Sequence, residues 1–438
     1  MSRKIRGFET FHIFHSPYYY FFYYLNISYI FRAFPLRGQK KTRPQRGKGQ
    51  TMIVTFNKEN FLSKLIPSMA TVSNKSTVVS IEGVLIETVG DTSLRLTTYD
   101  MLKGVRSYVE DVTVSEPGSY IINANRLLQI LKVMPGDTDV TLEVTDKLNV
   151  KIGTESSSFT MFAMNGKDFP SLPELSGDEG FSLSSGVLKR MIAKTIHSVA
   201  AQDTRPALCG AYFCFEEDAL DVTSCDSYTL SKCRVACKIE DIGQKKILSG
   251  ESFAMIIPGH ALLELSRMLD DGDDPVSVII GVKHAMFHIG DIIFFTRLID
   301  GDYIDYSRIL PKDQTIFIRV NRERLLAGLE RAVLVAEEKY AGSGRSYVKL
   351  TVGTDSLTLT SSSAGGKVYD EMPCNHIGET LEIGFNCRFL INSVRAADSE
   401  DIVITMKSAT TCITIEPAEK DESKDFFYLV LPVRMNEK

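Results

Sequence analysis

Residues 57–69, NKENFLSKLIPSM, carry the pattern on which the fold turns, because that pattern comes back twice. It returns as SSGVLKRMIAKTIHSV at 184–199 and as NRERLLAGLERAVLVA at 321–336. In each copy apolar residues recur every three or four positions, the period of an amphipathic helix. A strand follows each helix: SLRLTT (93–98), ALDVTS (219–224) and SLTLTS (356–361). A second helix with an extended lead-in comes next, as INANRLLQILKVM (122–134), IPGHALLELSRML (257–269) and GFNCRFLINSVRA (384–396). Each ends in an acidic turn before a strand: PGDTDVTL, DDGDDPVSV and ADSEDIVI. Four elements in one order, three times over, imply a curved or closed array of tandem units. Beyond residue 51 the chain holds 387 residues, 129 per copy, the size of a single-core domain. The boundaries expected are 52–178, 179–313 and 314–438.

Charge divides the chain unevenly. The formal net charge is −5, yet residues 1–51 carry ten Lys and Arg against one Glu, so the rest carries −14. A body this acidic does not grip nucleic acid by general attraction, and contact with phosphate must come from local basic faces. The helices supply candidates. In the second copy Leu188, Met191, Ile192, Thr195 and Val199 share one side, and Arg190, Lys194 and His197 the other. In the third copy Leu325, Leu326, Leu329 and Val333 oppose Arg324 and Arg331, and the second helix repeats the spacing with Arg388 and Arg395. Lys64, Arg126, Lys132 and Arg267 extend the set. If the copies turn these faces the same way, they form one electropositive surface that binds phosphates without reading bases.

Residues 1–51 differ in kind. They hold 13 of the 41 aromatic residues, including YYYFFYYL (18–25), and end in the basic run RGQKKTRPQRGKGQ (37–50). Basic residues beside an aromatic segment suit an interfacial anchor, but His12, His15, Pro17 and Asn26 interrupt it before a spanning length is reached. The preferred reading is that translation starts at Met52 and the upstream residues are a mis-assigned start or a disordered leader.

Catalytic signatures are missing. There is no GxxxxGK[ST], HExxH or GxSxG, and AGSGRS (341–346) is only a GxG in a loop. Asp270, Asp271, Asp273 and Asp274 resemble the start of a calcium loop, but apolar strand follows and no Glu closes it, so they read as turn chemistry. The eight cysteines form no CxxC, and reduced packing thiols in a cytoplasmic protein are expected, with no metal and no cofactor.

Beside the repeats, five runs resemble the bacterial sliding clamp family, the beta subunit of the replicative DNA polymerase holoenzyme: GKDFPSLPEL (166–175), AAQDTRPALCG (200–210), TSCDSYTL (223–230), FTRLIDGDYIDYSRILP (295–311) and YLVLPVRM (428–435). The resemblance covers 52–438 and none of 1–51. It implies an α+β fold of three tandem DNA-clamp domains, helices on one face and antiparallel sheets on the other, assembling head to tail into a homodimeric six-domain ring. It also implies a non-catalytic processivity factor that encircles double-stranded DNA. Partners would be the replicative polymerase, the clamp loader and repair proteins carrying clamp-binding peptides; no membrane is involved.

Carried over by position, the resemblance places a peptide pocket at Leu208, Cys225, Ser227, Tyr228, Thr229, Leu230, Ile304, Arg308, Ile309, Leu429, Val430, Leu431, Pro432, Val433, Arg434 and Met435. It adds Lys75 and Gln202 to the DNA-facing set of Arg126, Lys132, Arg190, Lys194, Arg267, Arg324, Arg331, Arg388 and Arg395. Subunits would meet where Phe159 and Met161 face Leu334 and Val335. The chain departs from the family at SYTL, where a Gly or Ser followed by His-Arg-Leu is usual, and in Asn436, Glu437 and Lys438. Two other readings compete: a peptide-binding scaffold that encircles nothing, and a hydrolase whose site is dispersed across domains.

Overall fold

The computed structural model describes residues 51–435 apart from 74–75, 174–178, 217–218, 237–239, 242–252, 337–346, 364 and 420–424. The reading made of residues 1–50 and the loop 341–346 therefore lie outside the described residues. Each third of the rest runs strand, helix, five strands, helix, three strands. The first copy is Met52–Asn57, α1 (Lys58–Ser68), Gly83–Val89, Ser93–Tyr99, Lys103–Val109, Thr113–Glu116, Ser119–Asn123, α2 (Ala124–Val133), Asp139–Val144, Asn149–Gly153 and Ser158–Asn165. The second opens with Glu179–Ser184 and α3 (Ser185–Thr195), reaches α4 (Gly259–Met268) and closes with Ile292–Arg297. The third opens with Ile316–Asn321 and α5 (Arg322–Ala336), reaches α6 (Cys387–Ala396) and closes with Phe426–Val430.

Local chemistry sets the strand-to-helix junctions. Asn57, Asn123, Asn321 and Asn386 each end an extended segment, and each side-chain oxygen accepts a backbone N–H of the following helix. Such a cap satisfies a donor that the helix itself cannot, and is worth roughly 1 kcal/mol. The strands alternate: Met52–Asn57 and Ile316–Asn321 bury every second residue against their helices. Three cores result, one per copy, built round Phe61, Leu65 and Leu127, round Leu188, Met191 and Leu262, and round Leu325, Leu329 and Leu390. Each is a helix pair packed on antiparallel sheet, the α+β arrangement expected.

The copies are joined by strand pairing and not by linkers alone. The last strand of the second copy, Ile292–Arg297, pairs antiparallel with Lys103–Val109, the fourth strand of the first. The last strand of the third copy, Phe426–Val430, pairs with Thr229–Ala236, the fourth strand of the second. Two ends of this series stay open. Ser158–Phe162, in the last strand of the first copy, pairs only with Asn149–Gly153, and Lys367–Pro373, the fourth strand of the third copy, pairs only with Ser356–Ser362, among the described residues.

Candidate functional site

At the joint between the second and third copies lies an apolar cavity of about 220 Å³. Leu208, Cys225, Ser227, Tyr228, Thr229, Leu230, Ile304, Ile309, Leu429 and Leu431 line it, together with Arg205. Its floor is a satellite cluster of Leu208, Cys225, Leu230 and Leu429, separate from the three domain cores. Burial pushes the Cys225 thiol up, so the sulfur acts here as a small apolar wall and not as a nucleophile.

A cavity exists at this joint because of three residues in register. Cys225 pairs with Leu230, and Leu230 with Leu429. At the joint between the first and second copies the same row reads Tyr99, Gly104, Phe295. There the two rings lie 5.7 Å apart, over a glycine whose Cβ would come within 2.3 Å of the Phe295 ring. Phe169 and the partly buried Leu172, from the connecting segment, complete that filling. Thiol and leucine side chains in place of two rings leave the second joint hollow.

The turn at its mouth is tightly specified. Asp226 Oδ1 accepts the N–H groups of Tyr228 (2.9 Å) and Thr229 (2.6 Å), and Ser227 between them sits at φ +77°. A non-glycine residue in that region carries a steric cost of about 1 kcal/mol. Arg205 spans the opening, donating to Ser227 Oγ at 2.6 Å and to Asp203 Oδ1 at 3.0 Å. Hydrogen bonds to Arg205 hold the Asp203 carboxyl low, at about 2. The tail then crosses between copies: Leu431 N–H donates to Tyr228 O (2.9 Å) and Val433 N–H to Gly384 O (2.8 Å). The Tyr228 ring stacks on Phe389 of α6 at 5.4 Å.

Six expected pocket positions fall elsewhere. Val430 is fully buried in the third core, because its strand points alternate residues inward. Arg308 is exposed and paired with Asp305. Pro432, Val433, Arg434 and Met435 continue past the cavity, Met435 packing on Gly384. Arg205 and Phe389 were not expected; the AAQDTRP run held the first, and nothing in the spacing of the α6 sequence marks the second.

The basic faces are thinner than the spacing predicts. Lys194 is a correction: its side chain is buried, its Nζ 2.5 Å from Asp398 and 4.3 Å from the centre of the Phe426 ring. The third copy packs over that face of α3, so Lys194 is an internal cation and not a DNA-facing one. Arg267 is paired with Glu264, Arg395 with Glu330, Arg331 with Asp370, and Lys64 with Asp291. Arg126, Lys132 and Arg324 are exposed and carry no ion pair among the described residues. Arg388 and Gln202 are also exposed, and Lys75 lies outside the described residues.

Met161 is a second correction. It is buried in the first core, as strand alternation requires, whereas Phe159 and Phe162 of the same strand and Leu334 of α5 are exposed. Val335 is half-buried. No group of three His, Cys, Asp or Glu is gathered for a metal, and no helix is long and apolar enough to cross a membrane, among the described residues.

Three helix-faced antiparallel domains joined edge to edge, with a hollow at one joint, define a multidomain clamp-type scaffold. Family models agree copy by copy: the DNA polymerase III beta subunit N-terminal domain matches residues 52–173, its central domain 182–305 and its C-terminal domain 307–434. The chain belongs to the DNA polymerase III beta subunit family, the sliding clamps. It is 27% identical over 396 residues to the beta sliding clamp of Staphylococcus aureus, covering 87% of this chain and 99% of that one. The DNA polymerase sliding clamp of Bacillus subtilis superposes with a TM-score of 0.80 at 25% identity, over 88% of this chain and 100% of that one. A Pseudomonas aeruginosa sliding clamp solved bound to griselimycin superposes at 0.78, with 25% identity and the same coverage.

Proposed function

We propose that two copies of this chain close head to tail into a six-domain ring around duplex DNA, and that the Cys225–Leu429 hollow takes short peptides of the replicative polymerase, clamp loader and repair proteins. The open edges carry this reading. Twice the last strand of one copy pairs with the fourth strand of the copy before it. The two edges left over are a last strand and a fourth strand, so the same joint made between molecules continues the series. Two such joints related by a two-fold axis close the series of copies. Domain boundaries near 178 and 313 fit the three separate cores. The ring is non-catalytic in this reading and works in the cytoplasm by holding its partners on DNA.

Few free cations suit this task, since tight phosphate contacts would impede sliding, while the exposed Arg126, Lys132 and Arg324 give weak, salt-sensitive attraction. The deciding experiment is retention on closed circular DNA after incubation with a clamp loader. Retention should vanish when the circle is cut. Equal retention on linear DNA, or a monomer at micromolar concentration, would overturn the ring and leave a peptide-binding scaffold.

A further inference from the structure

Exposed apolar side chains collect at the joint that has no hollow. Val78, Val79, Met101 and Leu102 are each about half exposed, and Val282 is 96% exposed. Consecutive residues of the chain leaving the second copy tie two of these places together: Arg297 N–H donates to Leu102 O and Leu298 N–H to Lys283 O, each at 2.8 Å. The repeat brings in the valines. Ile81 N–H donates to Val78 O (3.2 Å) and Ser73 N–H to Ile81 O (3.1 Å), as Leu208 N–H donates to Arg205 O (3.1 Å) and Ala200 N–H to Leu208 O (2.9 Å) beside the hollow. Asp100 Oδ1 accepts the N–H groups of Leu102 (3.0 Å) and Lys103 (2.8 Å), and Met101 sits at φ +77°, the geometry of Asp226 and Ser227 at the mouth. Val78 and Met101 therefore occupy the two places that Arg205 and Ser227, bonded to each other, hold at the hollow.

Places that are polar at one joint are apolar at the other. Behind the mouth of the hollow is space; behind the patch stand the packed rings of Tyr99 and Phe295. With the joint filled, the patch suits a folded face and gives the anchor of a short peptide no slot to enter. Apolar residues scattered singly on a surface mean little, whereas five at one joint mark a contact. Their border is basic. Lys283 is exposed and carries no ion pair among the described residues, and Arg297 reaches Asp300 only at 3.9 Å.

We propose that this patch is a second contact for the replicative polymerase, covered by an apolar, carboxylate-edged face of a folded domain while the clamp-binding peptide of that polymerase lies in the hollow of the same chain. The proposal rests on the peptide reading of the hollow made above. Each turn joins the third and fourth strands of its copy, so patch and mouth open on the same side of the array. A protein tethered at the mouth stands over the patch at a roughly millimolar effective concentration, and there a contact too weak to hold a free domain becomes occupied. A peptide alone lets the tethered enzyme swing; a second contact one copy away fixes its heading along the duplex. The basic border meeting a carboxylate edge sets the register of that contact.

The test compares the full-length polymerase subunit with its isolated clamp-binding peptide, each titrated by calorimetry against the full chain and its variants. Leu102→Asp combined with Val282→Asp should weaken the polymerase at least tenfold and leave the peptide within twofold. Val282→Ser changes a side chain open to solvent, so it cannot disturb a core; it should weaken the polymerase about threefold and leave the peptide alone. Lys283→Glu should weaken the polymerase too, and flatten its salt dependence. Ile377→Asp, at an exposed apolar position of the third copy, should change neither titration. Thermal melting checks that each variant folds. Undiminished polymerase affinity in Val282→Ser and the double variant, or an equal loss from Ile377→Asp, overturns the patch. The hollow is scored separately: a peptide that fails to bind the parent chain, or binds undiminished to Cys225→Tyr, sinks the peptide reading, whereas peptide binding with a polymerase indifferent to the patch sinks the patch alone.

Discussion

Lys194 and Met161 mark the limit of what spacing along one helix or strand can reveal. Periodicity separates the two faces of α3, but it cannot see that the third copy packs over the polar one. There Lys194 becomes a buried ammonium whose proton affinity is lowered by desolvation and partly restored by Asp398. Removing one partner of such a pair strands the other, at a cost of about 3 kcal/mol, whereas replacing both by apolar groups is close to neutral. Asp398→Ala should therefore lower the urea midpoint markedly, and Lys194→Met combined with it should recover most of the loss. His197 supplies a test in pH. Burial depresses its ring to about 4 from the ordinary 6.5. Between these values the unfolded ring holds a proton that the folded ring does not, so the stability of the neutral ring is complete above pH 6.5 and lost as pH falls toward 4. Across that span the loss amounts to about 3 kcal/mol. His197→Phe, which keeps the edge-on packing against Tyr428, should narrow the gap between denaturation midpoints measured at pH 7 and pH 4.5; an unchanged gap would assign the acid sensitivity elsewhere.

Elements were legible in the sequence where one helix or strand explains itself. The six helices stand where the repeats place them, four of them behind an Asn that caps them. What the repeats could not disclose is which strands pair across copies, because that register is set by docking of whole domains. The asymmetry of the two joints lives at this level. Tyr99, Gly104 and Phe295 fill one row; Cys225, Leu230 and Leu429 leave the equivalent row open. Restoring an aromatic ring to the second joint should close it. Cys225→Tyr is expected to reduce the affinity of a hydrophobic clamp-binding peptide at least tenfold by calorimetry, with the dimer preserved in sedimentation. Unchanged affinity would mean that the peptide lies outside the hollow. Arg205→Ala frees Ser227 at the mouth and should change that affinity less, since its contacts are exposed.

At the scale of the whole molecule, the acidic balance read from composition is distributed in a way that composition could not specify. Most basic side chains on the helices are already matched by carboxylates, and some of the exposed large hydrophobic groups stand at the two unpaired edges. Phe159 and Phe162 stand on one edge, with Leu334 and Tyr369 on or beside the other. Edge strands left open with apolar residues invite association. If the proposed ring uses them, a charge placed on either side must act on assembly alone, because the Phe159 and Leu334 side chains are exposed and belong neither to a domain core nor to the lining of the hollow. Phe159→Asp and Leu334→Asp should each convert the dimer to monomers at micromolar concentration, observed by sedimentation, with thermal stability of the domains retained. Retention on closed circular DNA should be lost in both. Peptide affinity of the hollow should stay within twofold of the parent, because its residues all belong to one chain. Loss of peptide binding together with the dimer would instead place the pocket under control of the subunit joint, and persistence of the dimer in both variants would move that joint to another surface.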